Sequence, residues 1–306
     1  MEYIIYPLLF ILFLILVYQI KINLYFEQDP PMEGKFLETE NIRFFYVERG
    51  AENREILLLV HGFQSSHYTF HKNLDFLSQH FHVIALDLPG YGFTDKPLDY
   101  TYNFENFAHS VKHFLDAKGI NQKICYAGNS MGGAVGMVFA DFYPDRIKKL
   151  VLVDPANPYD IDSLRIFEEF GKFLFFFIIT VLDNLYLRKW IYEKKIFHHY
   201  KLSMKELKKL SASRWTKHDR KTSRKTLRDN GEKDVENLKK HAAHIRCRTL
   251  VIYGTQDKVI CPKRGESLQK IIPKAKLIYF PDCGHMPQYE VPEVFNKTLL
   301  DFFTAN

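Results

Sequence analysis

The chain has 306 residues, 46% hydrophobic and 25% charged, enough for a sizeable core and too apolar for a disordered or fibrous protein. A formal net charge of +6 is too mild to imply a nucleic-acid partner. Four cysteines without paired spacing, Cys125, Cys247, Cys261 and Cys283, exclude a disulfide scaffold and argue against structural zinc.

The first element is apolar. From Tyr3 to Ile20 eighteen residues carry no charge and one amide, Gln19. As a helix the run reaches about 27 Å, close to the hydrocarbon thickness of a bilayer. It is apolar on every face, so a surface or core helix is a poor reading. Neither a basic leader nor a small-residue cleavage site accompanies it, which predicts an uncleaved single-span anchor over residues 1–26. Tyr3, Tyr6, Tyr18 and Tyr25 suit the two interfaces. Lys21 and Lys35 follow the span and no Lys or Arg precedes it, which places the body on the cytoplasmic side.

Strands and helices then alternate. Ile56–Val60 is a continuous apolar run of the kind buried on both faces of a parallel sheet. Val83–Leu86, Ile124–Ala127, Leu150–Val153, Leu250–Tyr253 and Lys276–Phe280 repeat the pattern, and Ile42–Val47 reads as an antiparallel edge strand. Helices are predicted over Asn103–Ala117, Met131–Phe142, Arg264–Ile271 and Glu293–Phe303. Such βα alternation predicts an α/β fold with a mostly parallel sheet flanked by helices.

The alternation breaks over residues 155–246, which read as an inserted helical lid; residues 27–154 and 247–306 form the core. Within the insertion Phe173–Leu182 is an unbroken apolar decapeptide, too short to span a bilayer. Arg188–Arg246 carries 19 Lys/Arg against 7 Asp/Glu, so the rest of the chain is net acidic. A basic insertion on an anchored protein suits anionic lipid headgroups, with a merely solvated basic surface as the alternative.

The chemistry-bearing residues fall at strand ends. Gly128-Asn129-Ser130-Met131-Gly132 is a G-x-S-x-G motif between a predicted strand and an apolar helix, the setting of a nucleophile elbow. Small residues at Gly128 and Gly132 permit a strained turn that projects the Ser130 hydroxyl. His285 follows the last strand as a candidate base, and Asp257 follows the strand before it as candidate orienting acid. Asp154 ends another strand and is the alternative acid. The loop His61-Gly62-Phe63 offers the Phe63 N–H, with that of Met131, as an oxyanion hole; His61 itself reads as a brace. Asp87-Leu88-Pro89-Gly90-Tyr91-Gly92 reads as scaffolding. Cys261 and Cys283 flank the acid and the base; their pairing is open, with free thiols the better reading.

HGF, DLPGYG, GNSMGG, GTQD and DCGH, in this order, resemble the α/β-hydrolase superfamily from about Ile42 to Phe303. Within it, GNSMGG, VDPAN, GTQDKV and DCGH are similar to bacterial lipases and membrane-anchored monoacylglycerol lipases. The resemblance implies Ser130 as nucleophile, Asp257 as acid, His285 as base and Phe63 and Met131 as oxyanion donors, with no metal or organic cofactor. Haloalkane dehalogenases and epoxide hydrolases need Asp at the elbow, so Ser130 disfavours those chemistries. The expected substrate is an acyl-ester lipid. A C–C bond hydrolase, a thioesterase or a short-chain esterase with the same three residues is the alternative, and a non-catalytic membrane-bound binding protein is the alternative of another class. Oligomeric state is left open.

Overall fold

The computed structural model describes residues 2–25, 33–158, 185–212 and 218–305. Its centre is an eight-stranded sheet in the order β1-β2-β4-β3-β5-β6-β7-β8. The strands are β1 (Gly34–Glu38), β2 (Arg43–Arg49), β3 (Ile56–Val60), β4 (His82–Leu86), β5 (Ile124–Asn129), β6 (Ile147–Val153), β7 (Arg248–Gly254) and β8 (Lys276–Phe280). From β4 across to β8 every pairing is parallel; β1 and β2 are antiparallel. The helices are α1 (Glu2–Tyr25), α2 (Leu74–Leu77), α3 (Phe104–Ala117), α4 (Met131–Phe142), α5 (Leu185–Ile191), α6 (Met204–Ser211), α7 (Asp219–Asp229), α8 (Glu232–His244), α9 (Arg264–Ile271), α10 (Pro287–Glu290) and α11 (Pro292–Thr304).

The period of two explains why the central strands are apolar throughout. Ile56, Leu58 and Val60 enter the core under α3 and α4, while Leu57 and Leu59 enter the opposite core under α2 and α11. Leu150 and Leu152 divide from Val151 and Val153 in the same way. Helix α3 starts where the Asn103 side chain accepts the Asn106 N–H at 2.9 Å, and it ends at Gly119, whose φ is +74°. Between them Phe104, Phe107, Val111, Phe114 and Leu115 form one buried stripe.

Ile42–Val47 is not the sheet edge. β2 lies one strand in, covered by β1 at Gly34–Glu38, a strand the sequence reading missed. β1 alternates weakly because both its faces are largely solvated. Glu48 of β2 ties this corner together. It takes Lys35 Nζ at 2.9 Å, Lys118 Nζ at 2.8 Å and His82 Nε2 at 2.6 Å, drawing in β1, the end of α3 and β4.

The expected spanning helix stands differently from the rest. On α1 the described side chains are residues 5–17, and ten large apolar ones from Ile5 to Leu16 are 41% or more exposed. Among the described residues no helix is long and apolar enough to cross a membrane. Phe173–Leu182 lies outside the described residues. Among the described residues the rest of the segment between β6 and β7 carries helices α5 to α8 joined by loops, with no strand. α8 packs Leu238 and Ala242 into the core containing α4, and Leu185, Phe197, Leu202, Leu207 and Leu210 cluster with Met286 and Tyr289.

Burial pushes the Glu48 carboxyl up, but hydrogen bonds from Lys118, Lys35 and His82 outweigh it and hold the group at about 2. A depressed folded-state value stabilises the fold above the ordinary carboxylate range and is lost as pH falls toward about 2. Glu48→Gln is therefore expected to cost about 2 kcal/mol at pH 7, a figure reduced because Lys35 is mostly exposed. The gap between the two proteins should close on acidification. Thermal melts across the acid range measure it, and a pH-independent gap would reject the assignment.

Candidate active site

Ser130 sits between β5 and α4 with φ +55° and ψ −115°, a conformation that L residues rarely adopt. Neighbouring backbone holds it there. Its N–H donates to Val153 O at 2.9 Å, and its carbonyl accepts the N–H groups of Gly133, Ala134 and Ala156. Two glycines make the turn possible. A Cβ on Gly128 would lie 2.2 Å from Gly132 O, and one on Gly132 would lie 2.3 Å from Val60 O and 2.6 Å from His61 O. Ser130 also stands at the start of α4, where the first N–H groups, that of Met131 among them, have no intrahelical acceptor and favour negative charge.

The loop after β3 meets this turn. Gly62 lies so near that an added Cβ would be 3.1 Å from Ser130 Cβ, which brings Phe63 beside the serine. His61, fully buried, sets the loop. Its Nδ1–H donates to Gly62 O at 2.7 Å and its Nε2 accepts the Leu88 N–H at 3.1 Å. Burial pushes its pKa down, so it is neutral with both nitrogens occupied, as a brace requires. Asp87 is scaffolding too. It accepts the backbone N–H groups of His67 at 2.6 Å and Phe93 at 2.9 Å, against Gly92, where a Cβ would overlap the carboxylate.

His285 and Asp257 come together from the loops after β8 and β7. Nδ1 of His285 donates to Asp257 Oδ2 at 2.7 Å, with both residues buried. Asp257 Oδ1 accepts the N–H groups of Val259 at 2.7 Å and Ile260 at 3.1 Å, which orients the carboxylate. Ser130 and His285 then line one cavity of about 280 Å³ with Gly62, Phe63, Arg188 and Met286. A cleft of about 440 Å³ at Asn41 and His113 is larger, but its Ser110 bonds the Tyr100 hydroxyl at 2.9 Å rather than an imidazole. Asp154, the alternative acid, is buried beside Asp257 and does not take the Nδ1 bond. Cys261 is exposed and Cys283 buried, and both are free thiols.

Three contributors carry no sequence signal strong enough to find them. Asn129, the variable residue before the serine, spans the site: its Nδ2 donates to Val153 O at 3.2 Å and His285 O at 3.1 Å. Glu290, beneath the histidine loop, accepts the N–H groups of Gly284 at 3.0 Å and His198 at 2.7 Å, and burial pushes its carboxyl up to about 7. Arg188 reaches the cavity from α5, while His285 N–H donates to Ile196 O at 2.7 Å. The helical segment after β6 is thus attached directly to the histidine loop.

The alpha/beta hydrolase fold family matches residues 55–292. Lipase 1 of Psychrobacter immobilis is 31% identical, with 81% of this chain and 76% of that protein covered. A 2-hydroxy-6-oxononadienedioate/2-hydroxy-6-oxononatrienedioate hydrolase of Comamonas testosteroni is 28% identical over 82% of this chain and 88% of its own. The human monoacylglycerol lipase ABHD6 is 25% identical, with 92% and 85% covered. Among solved structures, a membrane phospholipase A superposes with a TM-score of 0.70 at 22% identity, covering 97% of this chain and 92% of that one, a likeness of fold.

The geometry of the turn predicts a clean contrast. Gly132→Ala should destabilise the protein by about 1–3 kcal/mol, because its methyl meets backbone that cannot swing aside. Labelling of Ser130 by a fluorophosphonate should fail with it. Gly231→Ala, where nothing lies within 4 Å, should change neither property. Melting curves and gel-based labelling compare the two; equal behaviour would mean that Gly132 does not shape the serine turn.

Proposed function

The chain belongs to the α/β-hydrolase fold family, and from that premise we propose a membrane-anchored serine hydrolase that cleaves carboxylic esters of acyl lipids, monoacylglycerols foremost. One observation carries the reading: the buried His285–Asp257 pair, bonded at 2.7 Å, opens on the cavity that Ser130 lines from its strained turn. A serine hydroxyl is a weak nucleophile until a base takes its proton, and the base needs an orienting carboxylate.

The chemistry runs in two halves. His285 Nε2 takes the Ser130 proton as Oγ attacks the ester carbonyl, and the Phe63 and Met131 N–H groups receive the oxyanion. The imidazolium, steadied by Asp257, protonates the departing alcohol and leaves an acyl-Ser130. Water, deprotonated by the same imidazole, attacks that ester; collapse releases the acid and returns the proton to Ser130. No step calls on a metal or an organic cofactor.

The lipid part of the reading draws support from three separate features. The uncharged run Tyr3–Ile20 contains the exposed apolar side chains described on α1 and serves as the anchor of residues 1–26. Residues 155–246 act as the lid, and their Arg188–Arg246 portion carries the excess of 12 positive charges suited to anionic headgroups. Tyr186 and Trp190 on α5 are 69% and 52% exposed beside the cavity residue Arg188, amphipathic rings of the type that settle at a lipid interface. The body lies on the cytoplasmic side, as the lysines after the span direct.

The test uses full-length protein beside Ser130→Ala, with p-nitrophenyl esters from acetyl to palmitoyl and 1- and 2-monoacylglycerols in mixed micelles. Turnover should rise with chain length, extend to monoacylglycerol and fall by about 10⁴-fold or more in the variant. Activity confined to acetyl and butyryl esters would overturn the lipid assignment and leave the serine mechanism standing.

A second reading rests on Arg188. Arg188 is 8% exposed and lines the cavity with Ser130 and His285, where a guanidinium suits a carboxylate on the substrate. That favours a C–C bond hydrolase acting on an oxo-dienoic acid, the substrate class named for the Comamonas relative. On this reading Arg188→Met should raise KM for such an acid about tenfold or more. On the lipid reading wild type should ignore the acid, and the variant should hold KM for neutral esters within about twofold.

A further inference from the structure

Asp154 stands out because its surroundings do not suit an ionised carboxylate. It ends β6 with no solvent exposure and a φ of +41°, a left-handed conformation that a non-glycine residue adopts at a cost. Its N–H donates to Ile252 O at 2.8 Å, and its Oδ1 accepts the Gly254 N–H at 2.9 Å. Oδ2 is sealed from solvent and receives no N–H or O–H from the described residues. Asp154, Asp257 and His285 nevertheless bring side-chain oxygen and nitrogen atoms within 4.8 Å of one another.

Two buried carboxylates cannot both stay charged at such range without a cation between them. Asp257 has the better claim to the charge, with two backbone N–H groups on Oδ1 and the imidazole N–H on Oδ2. Asp154 has one N–H on Oδ1 and an orphan oxygen. We propose that Asp154 is a neutral carboxylic acid whose Oδ2–H donates to the Asp257 carboxylate, making it a positioning residue for the Asp257–His285 pair. The proton satisfies the orphan oxygen and removes the repulsion. It also completes the shell of Asp257, so that this carboxylate cannot rotate away from His285.

The electrostatics agree. Burial, the charge of Asp257 and a hydrogen bond to Asp257 all push the Asp154 carboxyl well above the usual carboxylate range. Besides the imidazole of His285, the facing groups among the described residues bring no positive charge: Glu290 is acidic and raises it further, and the nearby Cys283 thiol is itself pushed up by burial. Throughout the reaction the proton stays on Asp154, while the charge on Asp257 serves the imidazolium.

This inference rests on the serine mechanism proposed above, and the experiment separates the two. Asp154→Asn replaces the acid by an amide of the same shape that tolerates a left-handed backbone. Its N–H₂ can donate to Asp257 while its carbonyl keeps the Gly254 bond. Asp154→Gly removes the donor and relieves the backbone at φ +41°; it also takes the acceptor from the Gly254 N–H, a loss that thermal melts of both variants register apart from the kinetics. With p-nitrophenyl butyrate, Asp154→Asn should keep kcat within about threefold and leave the acid limb of the kcat/KM profile in place. Asp154→Gly should lower kcat about tenfold or more with KM within about twofold, and should move the acid limb upward as Asp257 loses its donor.

Infrared difference spectra give a readout that does not depend on turnover. Wild type near pH 8 should show a neutral carboxylic-acid carbonyl band that Asp154→Asn lacks. An ionised Asp154 would give no such band. It would also make both variants move the acid limb downward, because a negative charge beside the imidazole would be gone; either result overturns the proposal. Ser130→Ala run in parallel reports on the mechanism: turnover surviving in it would sink the serine reading while the infrared band still decides the proton on Asp154.

Discussion

The site depends on the close approach of backbone to backbone around Ser130. β3 and β5 lie side by side at the middle of the sheet, and the chain leaving β5 must reverse into α4 within one residue. That reversal places Ser130 at φ +55° and packs Gly128 against Gly132, Gly132 against the carbonyls of Val60 and His61, and Gly62 against Ser130 itself. The strain is carried by a sheet whose central strands are buried on both faces, and by the hydrogen bond from Ser130 N–H to Val153 O. A side chain at Gly132 or Gly62 would push the loop carrying Phe63 away from the serine, and one at Gly128 would force α4 off the strand end. The same contacts that deny the chain its relaxed conformation hold the candidate oxyanion donors in place.

A buried shell of acids on the other side of the sheet edge complements this rigidity. Asp257, Asp154 and Glu290 approach the histidine loop from β7, β6 and α10, and each is matched to backbone N–H groups. Their environments differ enough to separate their roles. Asp257 has the fullest set of donors and faces the imidazole, whereas burial pushes the Glu290 carboxyl up to about 7, and burial with the charge of Asp257 pushes that of Asp154 well above the usual carboxylate range. The helical segment after β6 reaches the same loop through Ile196 and His198, and its Phe197 packs with Met286 and Tyr289.

Much of this was readable in the linear chain. The central parallel strands announce themselves because each feeds two cores and so carries a continuous apolar run, and α4 and α9 fall within the residues expected of them. The G-x-S-x-G context, the loop His61–Phe63 and the residues following β7 and β8 mark a site because a parallel sheet delivers all its strand ends to one edge. β1 escaped notice, since a short solvated edge strand has neither a buried face nor a strict alternation. Asn129, Glu290 and Arg188 escaped for a different reason: their partners lie in distant parts of the chain, and no local pattern distinguishes them from ordinary polar residues.

The sequence by itself determined the α/β class, the order of the strands along the chain and the identity of the serine, acid and base candidates. Periodicity and strand-end position are local properties, and local chemistry suffices to record them. Only the tertiary structure shows which of Asp257 and Asp154 bonds the His285 imidazole, because both end strands and both are aspartates. The difference is which carboxylate meets the imidazole nitrogen at 2.7 Å and which is left with an orphan oxygen. It likewise decided that His61 braces rather than transfers protons, since a histidine's role follows from what its two nitrogens touch. Residues separated by a hundred positions or more set those contacts, and packing rather than pattern brings them together.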